Sequence, residues 1–227
     1  MSKINKSRGN MYDWVTHTWS PIIGCSHQCS YCYVTAFRVQ PPVPLMDGPL
    51  PNLGKGRTIF VGHLCDLFAE AVPDATIYET LEHCMWYDNT YVFQTKNPAR
   101  LLLYLNSEEM PEQCMVGTTI ETNRQETLDR ISKAPNVVDR ASALRMITVK
   151  KFITIEPILD FDPGPFVDMI HRAEPDFVNI GADSKKHNLP EPSLTKVWKL
   201  IDSLGKAGIE IKKKTNLERL FRKGERV

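Results

Sequence analysis

Three cysteines, Cys25, Cys29 and Cys32, fall within the run Gly24-Cys25-Ser26-His27-Gln28-Cys29-Ser30-Tyr31-Cys32-Tyr33. Thiolates are soft ligands that select zinc or iron–sulfur centres. At C-x3-C-x2-C spacing they converge only if the backbone folds into a tight loop, which Gly24, Ser26 and Ser30 suit. A closed zinc or ferredoxin-type site takes four protein ligands. The local run supplies three, leaving one coordination position open to a substrate or cofactor. The alternative is a zinc knuckle completed by His17, His27 or a distant cysteine. Cys65, Cys84 and Cys114 are scattered singly, so the six cysteines do not read as the disulfide framework of a short secreted domain.

Such a loop needs a scaffold. Short runs rich in Val, Ile, Phe, Thr and Tyr at 18–24, 57–62, 91–94, 114–119, 152–155 and 176–180 predict buried parallel strands, with a seventh at 209–213. Helices are predicted between them, over 74–87, 97–105, 122–134, 165–172 and 193–207. In the first, Ile77, Leu81 and Cys84 make one apolar stripe. In the second, Asn97-Pro98 supplies a cap and a first-turn proline. This alternation predicts an α/β fold of parallel β/α units. A full eightfold barrel takes about 250 residues. The 227 residues, with six clear units, therefore predict a partial (β/α)6 barrel with its helices outside. It forms one domain over residues 1–227, ending in a basic segment at 206–227. The proline-rich stretch 40–44 is expected to be irregular and to cover one barrel mouth.

The cysteine run follows the first strand, at the mouth where barrels build active sites. Lys96 and Glu156 fall at strand ends on the same mouth. Apolar residues precede Glu156, so its carboxylate is expected to turn inward, where it needs a partner.

Composition is that of an ordinary globular protein, with 42% apolar and 24% charged residues. A net charge of +1 argues neither for a nucleic-acid coat nor for an acidic partner. Residues 1–10 carry no apolar signal-peptide core, and no run of about twenty apolar residues predicts a membrane span. The expectation is a cytoplasmic protein.

The cysteine spacing after a first strand, with aromatic Tyr31 just before the last cysteine, resembles the radical S-adenosylmethionine (SAM) superfamily. The nearest resemblance is to small phage-associated radical SAM proteins. It extends through Val61-Gly62-His63-Leu64-Cys65-Asp66-Leu67-Phe68, Gln94-Thr95-Lys96-Asn97-Pro98, Ile155-Glu156-Pro157 and Asn179-Ile180-Gly181. The resemblance implies a [4Fe–4S] cluster on Cys25, Cys29 and Cys32, with SAM chelating the fourth iron. It also implies reductive cleavage of SAM to a 5′-deoxyadenosyl radical, fed by an external donor such as flavodoxin or ferredoxin.

Family members carry a glycine–glycine–glutamate segment after the second strand that receives the SAM amino group. Here Gly62-His63-Leu64-Cys65-Asp66 departs from it, leaving Asp66 or backbone carbonyls near Gly62 for that task. Thr119 and Glu121 are placed to reach the ribose hydroxyls, although Glu121 also reads as a solvated carboxylate. Lys96 can neutralise the SAM carboxylate or hold a substrate anion. Asn179 and Gly181, with Asp183 behind them, shape an adenine or substrate pocket or else a turn. Cys65 can give a hydrogen atom to a product radical or be a buried inert thiol. His27 is expected to face outward beside the cluster.

A nucleic-acid or nucleotide substrate is the expectation from the family resemblance. The basic tail, with Lys212-Lys213-Lys214, can contact phosphates or form a solvated helix face. Tyr12, Trp14 and Trp19 can stack bases or plug the barrel. The alternative function is a non-enzymatic zinc or iron–sulfur module that binds nucleic acid or protein.

Overall fold

The computed structural model describes residues 3–34, 43–44, 49–105, 109–185 and 187–224. In chain order its elements are β1 (Asn5–Lys6), β2 (His17–Trp19), β3 (Ile22–Ile23), β4 (Val43–Pro44), β5 (Thr58–Val61), α1 (Asp74–Met85), β6 (Thr90–Thr95) and α2 (Pro98–Leu105). They continue with β7 (Cys114–Thr119), α3 (Gln125–Asp129), α4 (Val137–Arg145), β8 (Lys150–Ile155), α5 (Pro163–Arg172), β9 (Phe177–Ile180), α6 (Leu194–Lys206), β10 (Glu210–Lys213) and α7 (Glu218–Gly224).

The main sheet runs β1-β2-β5-β6-β7-β8-β9-β10. Every pairing from β2 to β10 is parallel, and only β1 runs antiparallel, on the free edge of β2. The sheet does not close on itself, and helices cover its outer face. This is the α/β partial barrel that the alternation of apolar runs predicts, with all seven expected strands in place.

Strand periodicity splits the apolar residues between two cores. Tyr91, Phe93, Ile153, Ile155, Val178 and Ile180 turn outward to the helices, where Ile77, Leu81 and Cys84 meet them as the predicted stripe. Phe60, Val92, Phe152 and Phe177 turn inward and form the barrel floor. The N-terminal segment completes that floor. Tyr12 and Trp14 stack at 5.0 Å, and both meet the Phe152 ring edge-on. Gly117 makes room for this ring: a Cβ there would lie 2.2 Å from Phe152. Tyr12 and Trp14 are thus plugs and not base platforms, while Trp19 is fully buried in the outer core.

Three expectations need correction. The first strand breaks into β2 and β3 around Ser20 and Pro21, since proline cannot donate to a ladder. The helix expected at 122–134 is only the short α3, and the main crossover helix is α4. It begins where the Asn136 side chain accepts from the Val138 N–H. Val43–Pro44 is not irregular but pairs with β3 as a two-residue edge strand, a setting proline tolerates. Residues 40–42, and the mouth-covering role given to them, lie outside the described residues.

The lysine triplet is neither a helix face nor a free patch. It spans β10 and its end, so alternate side chains go to opposite faces. Lys212 sits 4.0 Å over the Phe177 ring, Lys213 5.0 Å over Trp198 and Lys214 4.6 Å over Tyr12. Among the described residues no helix is long and apolar enough to cross a membrane.

Candidate active site

The loop after β2 is clasped from both sides. Gly24, at φ 90°, and Gln28, at φ 49°, supply left-handed bends. Gly24 extends the sheet by one bridge to Cys65, and its N–H donates to the Leu64 carbonyl at 3.0 Å. On the far side Ser30 N–H donates to Ile131 O at 2.8 Å, and Lys133 N–H to His27 O at 2.7 Å. Cys25, Cys29 and Cys32 are thereby presented to one cavity of about 710 Å³ at the C-terminal ends of the strands. That volume lies within the range of small-molecule and cofactor sites. None of the six cysteines is in a disulfide.

Three soft thiolate donors on one loop suit zinc or an iron–sulfur centre by ligand type. Among the described residues no three His, Cys, Asp or Glu side chains gather tightly enough to hold one metal ion. His17 stands at the opposite end of β2, bonded to the Thr16 hydroxyl. His27 is buried and bonded to Asp66 at 2.9 Å, not facing outward as expected. His17 is thus held away from the cysteine loop, and the His27 Nε2 is engaged by Asp66.

The cavity is also lined by Tyr31, Gly62, Cys65, Asp66, Lys96, Thr119 and Glu156, which the sequence singled out. Lys96 stands 5.4 Å over the Tyr31 ring and 3.7 Å from Glu121. Burial works against its charge, but Cys29 and Glu121 outweigh that and hold its pKa above the ordinary lysine value. Glu156, half-buried, has the partners expected of it. It accepts from Asn10 and Asn216 amides at 2.6 Å each, and Lys214 lies 2.6 Å from its other oxygen. Burial pushes the Cys65 thiol well above the ordinary range.

Asp66 is placed otherwise than an amine receptor would be. It accepts from His27, the Thr95 hydroxyl, and the N–H groups of Phe68 and Lys96. Four donors fill a carboxylate's usual acceptor capacity. Glu121 does not reach the cavity. It is fully buried, taking the Tyr31 hydroxyl on one oxygen and Arg140 at 3.0 Å on the other. Burial would raise its pKa, but Arg140 and Lys96 hold it below the usual carboxylate range. Asn179 is buried beneath the cavity, its amide directed to Thr154 at 3.5 Å. Gly181 lies behind Glu156: a Cβ there would sit 2.8 Å from that carboxyl group.

The structure links Thr119 and Tyr12, both named from the sequence, to Gln94 and Thr154, which had been given no role. Gln94, Thr119, Thr154 and Tyr12 form a hydrogen-bonded polar layer between the aromatic floor and the cavity. The signal was a polar residue near the end of otherwise apolar strands. Lys6, Arg8 and Asn10 line the cavity from the N-terminus, and Ser184, Lys185 and His187 from the loop after β9.

Residues 44–171 match the family described as "Protein of unknown function (DUF5131)". No curated protein matches the sequence. Solved structures share the fold. Spore photoproduct lyase complexed with dinucleoside spore photoproduct gives a TM-score of 0.64 at 9% identity, over 90% of this chain and 78% of that one. A mutant of the same lyase with bound AdoMet and dinucleoside spore photoproduct gives 0.58 at 11% identity, over 87% and 63%. Another mutant of the lyase gives 0.58 at 10% identity, over 92% and 80%.

Proposed function

Because the chain belongs to the DUF5131 family, described only as proteins of unknown function, we propose its reaction from the site itself: it is a radical SAM enzyme. Cys25, Cys29 and Cys32 would hold a [4Fe–4S] cluster, and the substrate is a nucleic acid or nucleotide. The observation that carries this reading is the placement of three cysteines, none in a disulfide, on one loop at the end of the first parallel strand, around a single cavity. When bound and reduced, such a cluster supplies one electron that cleaves SAM to methionine and a 5′-deoxyadenosyl radical, which takes a hydrogen atom from the substrate.

The chain's own residues orient and shield that chemistry. Lys96, cationic and largely buried, holds the SAM carboxylate or a substrate anion. Backbone carbonyls beside Gly62 are the acceptors left for the SAM amino group, since Asp66 is engaged elsewhere. The Thr119 hydroxyl, aligned by Gln94, is offered to a ribose. Tyr31 braces the cysteine loop against Glu121. Glu156, fixed by three partners, presents a carboxylate toward the substrate side. Cys65 lines the same cavity and is our candidate hydrogen donor to a product radical. The same fold holds AdoMet and a dinucleoside together in spore photoproduct lyase, which supports the substrate class. An external flavodoxin or ferredoxin would feed the electron, and a reducing cytoplasm suits cysteines that form no disulfide.

The test is anaerobic reconstitution with iron and sulfide, then addition of SAM and dithionite, with 5′-deoxyadenosine as the readout. We expect its formation, and its loss together with iron and sulfide in Cys25→Ala, Cys29→Ala and Cys32→Ala. One tightly bound zinc and no iron would overturn the reading in favour of a non-enzymatic metal-binding module.

A further inference from the structure

Five cationic side chains line the cavity: Lys6, Arg8, Lys96, Lys185 and Lys214. Two are committed, Lys214 to Glu156 at 2.6 Å and Lys96 to Glu121 at 3.7 Å. The acidic side chains of the lining are committed too. Asp66 pairs with His27, Asp183 with His187 at 2.7 Å, and Glu156 with Lys214. Among the described residues, Lys6, Arg8 and Lys185 have no acidic partner, and all three are exposed. The lining therefore carries three uncompensated positive charges.

Their backbones are held although their charges are free. β1 sets Lys6 opposite His17 on the edge of β2, and the Ser7 N–H donates to Thr16 O at 2.9 Å. Lys6 and Arg8, two residues apart, both reach the cavity. Asn10 then ties the N-terminal segment to the ends of β8 and β9, donating to Glu156 at 2.6 Å and to the Ser184 hydroxyl at 3.1 Å. On the other side the Lys185 N–H is pinned to Asp183 at 3.0 Å. A carboxylate is satisfied by one or two cations. Three, one of them a guanidinium, match the oxygens and charge of a phosphate.

We propose that Lys6, Arg8 and Lys185 form a phosphate-binding subsite at the cavity rim, for a nucleotide phosphate or a strand phosphodiester. It deepens the reading above, on which it rests for the nucleotide class. It also moves phosphate recognition from the basic C-terminal tail to the N-terminal segment and the loop after β9.

The test is fluorescence anisotropy of a labelled mixed-sequence DNA oligonucleotide with the full chain, without SAM. The variants are Arg8→Gln with Lys185→Gln, and Lys3→Gln as a control on an exposed lysine outside the lining. We expect the double variant to bind about tenfold more weakly, and its dependence on log salt to flatten by about 1.4 for two lost contacts. Lys3→Gln should change neither. Competition by a deoxynucleoside monophosphate but not by its nucleoside assigns a free nucleotide; competition by unlabelled oligonucleotide alone assigns a strand. No binding, or a double variant that binds like Lys3→Gln with circular dichroism unchanged, overturns the subsite. Since SAM is absent, a missing 5′-deoxyadenosine signal would sink the radical reading and leave this result standing.

Discussion

His27 Nε2 and Asp66 Oδ2 meet at 2.9 Å, both side chains buried, although one belongs to the cysteine loop and the other to the turn after β5. The same carboxylate takes the Thr95 hydroxyl at 2.7 Å and the Lys96 N–H at 2.7 Å. One side chain thus locks the loop to the ends of two strands. Asp66→Asn turns an acceptor into a donor facing groups that themselves donate. Leaving such groups unpaired costs about 1–3 kcal/mol each. We expect urea denaturation to show a loss of about 3 kcal/mol, and hydrogen exchange to quicken selectively over residues 25–32. Unchanged exchange there would mean the loop stands without the Asp66 joint.

Glu121 and Arg140 form an ion pair with both side chains wholly buried. Arg140 also donates to the carbonyls of Thr119 and Pro135, so one guanidinium staples α4 to the end of β7. Removing one member of such a pair costs about 3–5 kcal/mol, because the other charge is left in the interior. Arg140→Met should show that loss in thermal or urea unfolding. Glu121→Leu with Arg140→Met should lose less than the sum of the single changes. Strict additivity would show that the two residues do not act as a pair.

Gly117 lies opposite Phe152 in the β7–β8 register, on the inner face. Gly117→Ala would drive a methyl group into the ring, and overpacking of this kind costs about 1–3 kcal/mol. The measurement is the urea midpoint, with Phe152→Leu as the relieving change. Alanine at 117 should destabilise the parent strongly and the leucine variant little.

These relationships mark what a sequence can and cannot display. The strands were legible because buried parallel strands are apolar on both faces, as Phe152 and Ile153 show by filling the inner and outer cores. The cysteine loop was legible because its ligands are local. Glu121 could not be placed, since its partners, Tyr31 and Arg140, are 90 and 19 residues away and only the fold joins them. Helix α4 was missed because buried Arg140 interrupts its apolar face, although the Asn136 cap was there to be read. Lys212, Lys213 and Lys214 were read as one patch because a charge run has no visible period until its strand assigns alternate faces.

The last prediction concerns acid stability. Asp160 receives Lys196 at 2.6 Å and Arg124 on its other oxygen, joining α6 to the segment before α3. Burial alone would raise its pKa, but the two cations hold it below the usual carboxylate value. A carboxyl group with a depressed folded pKa stabilises the fold above its unfolded value, near about 4, and loses that contribution as pH falls through the folded value. The chain and its Asp160→Asn variant should therefore differ by about 1 kcal/mol at neutral pH, the scale of a partly exposed pair. That difference should shrink toward zero as pH drops below about 4. Parallel unfolding titrations at pH 7, 5, 4 and 3 would read it. A difference that persists undiminished at the lowest pH would assign the stabilisation to neutral hydrogen bonding instead of charge.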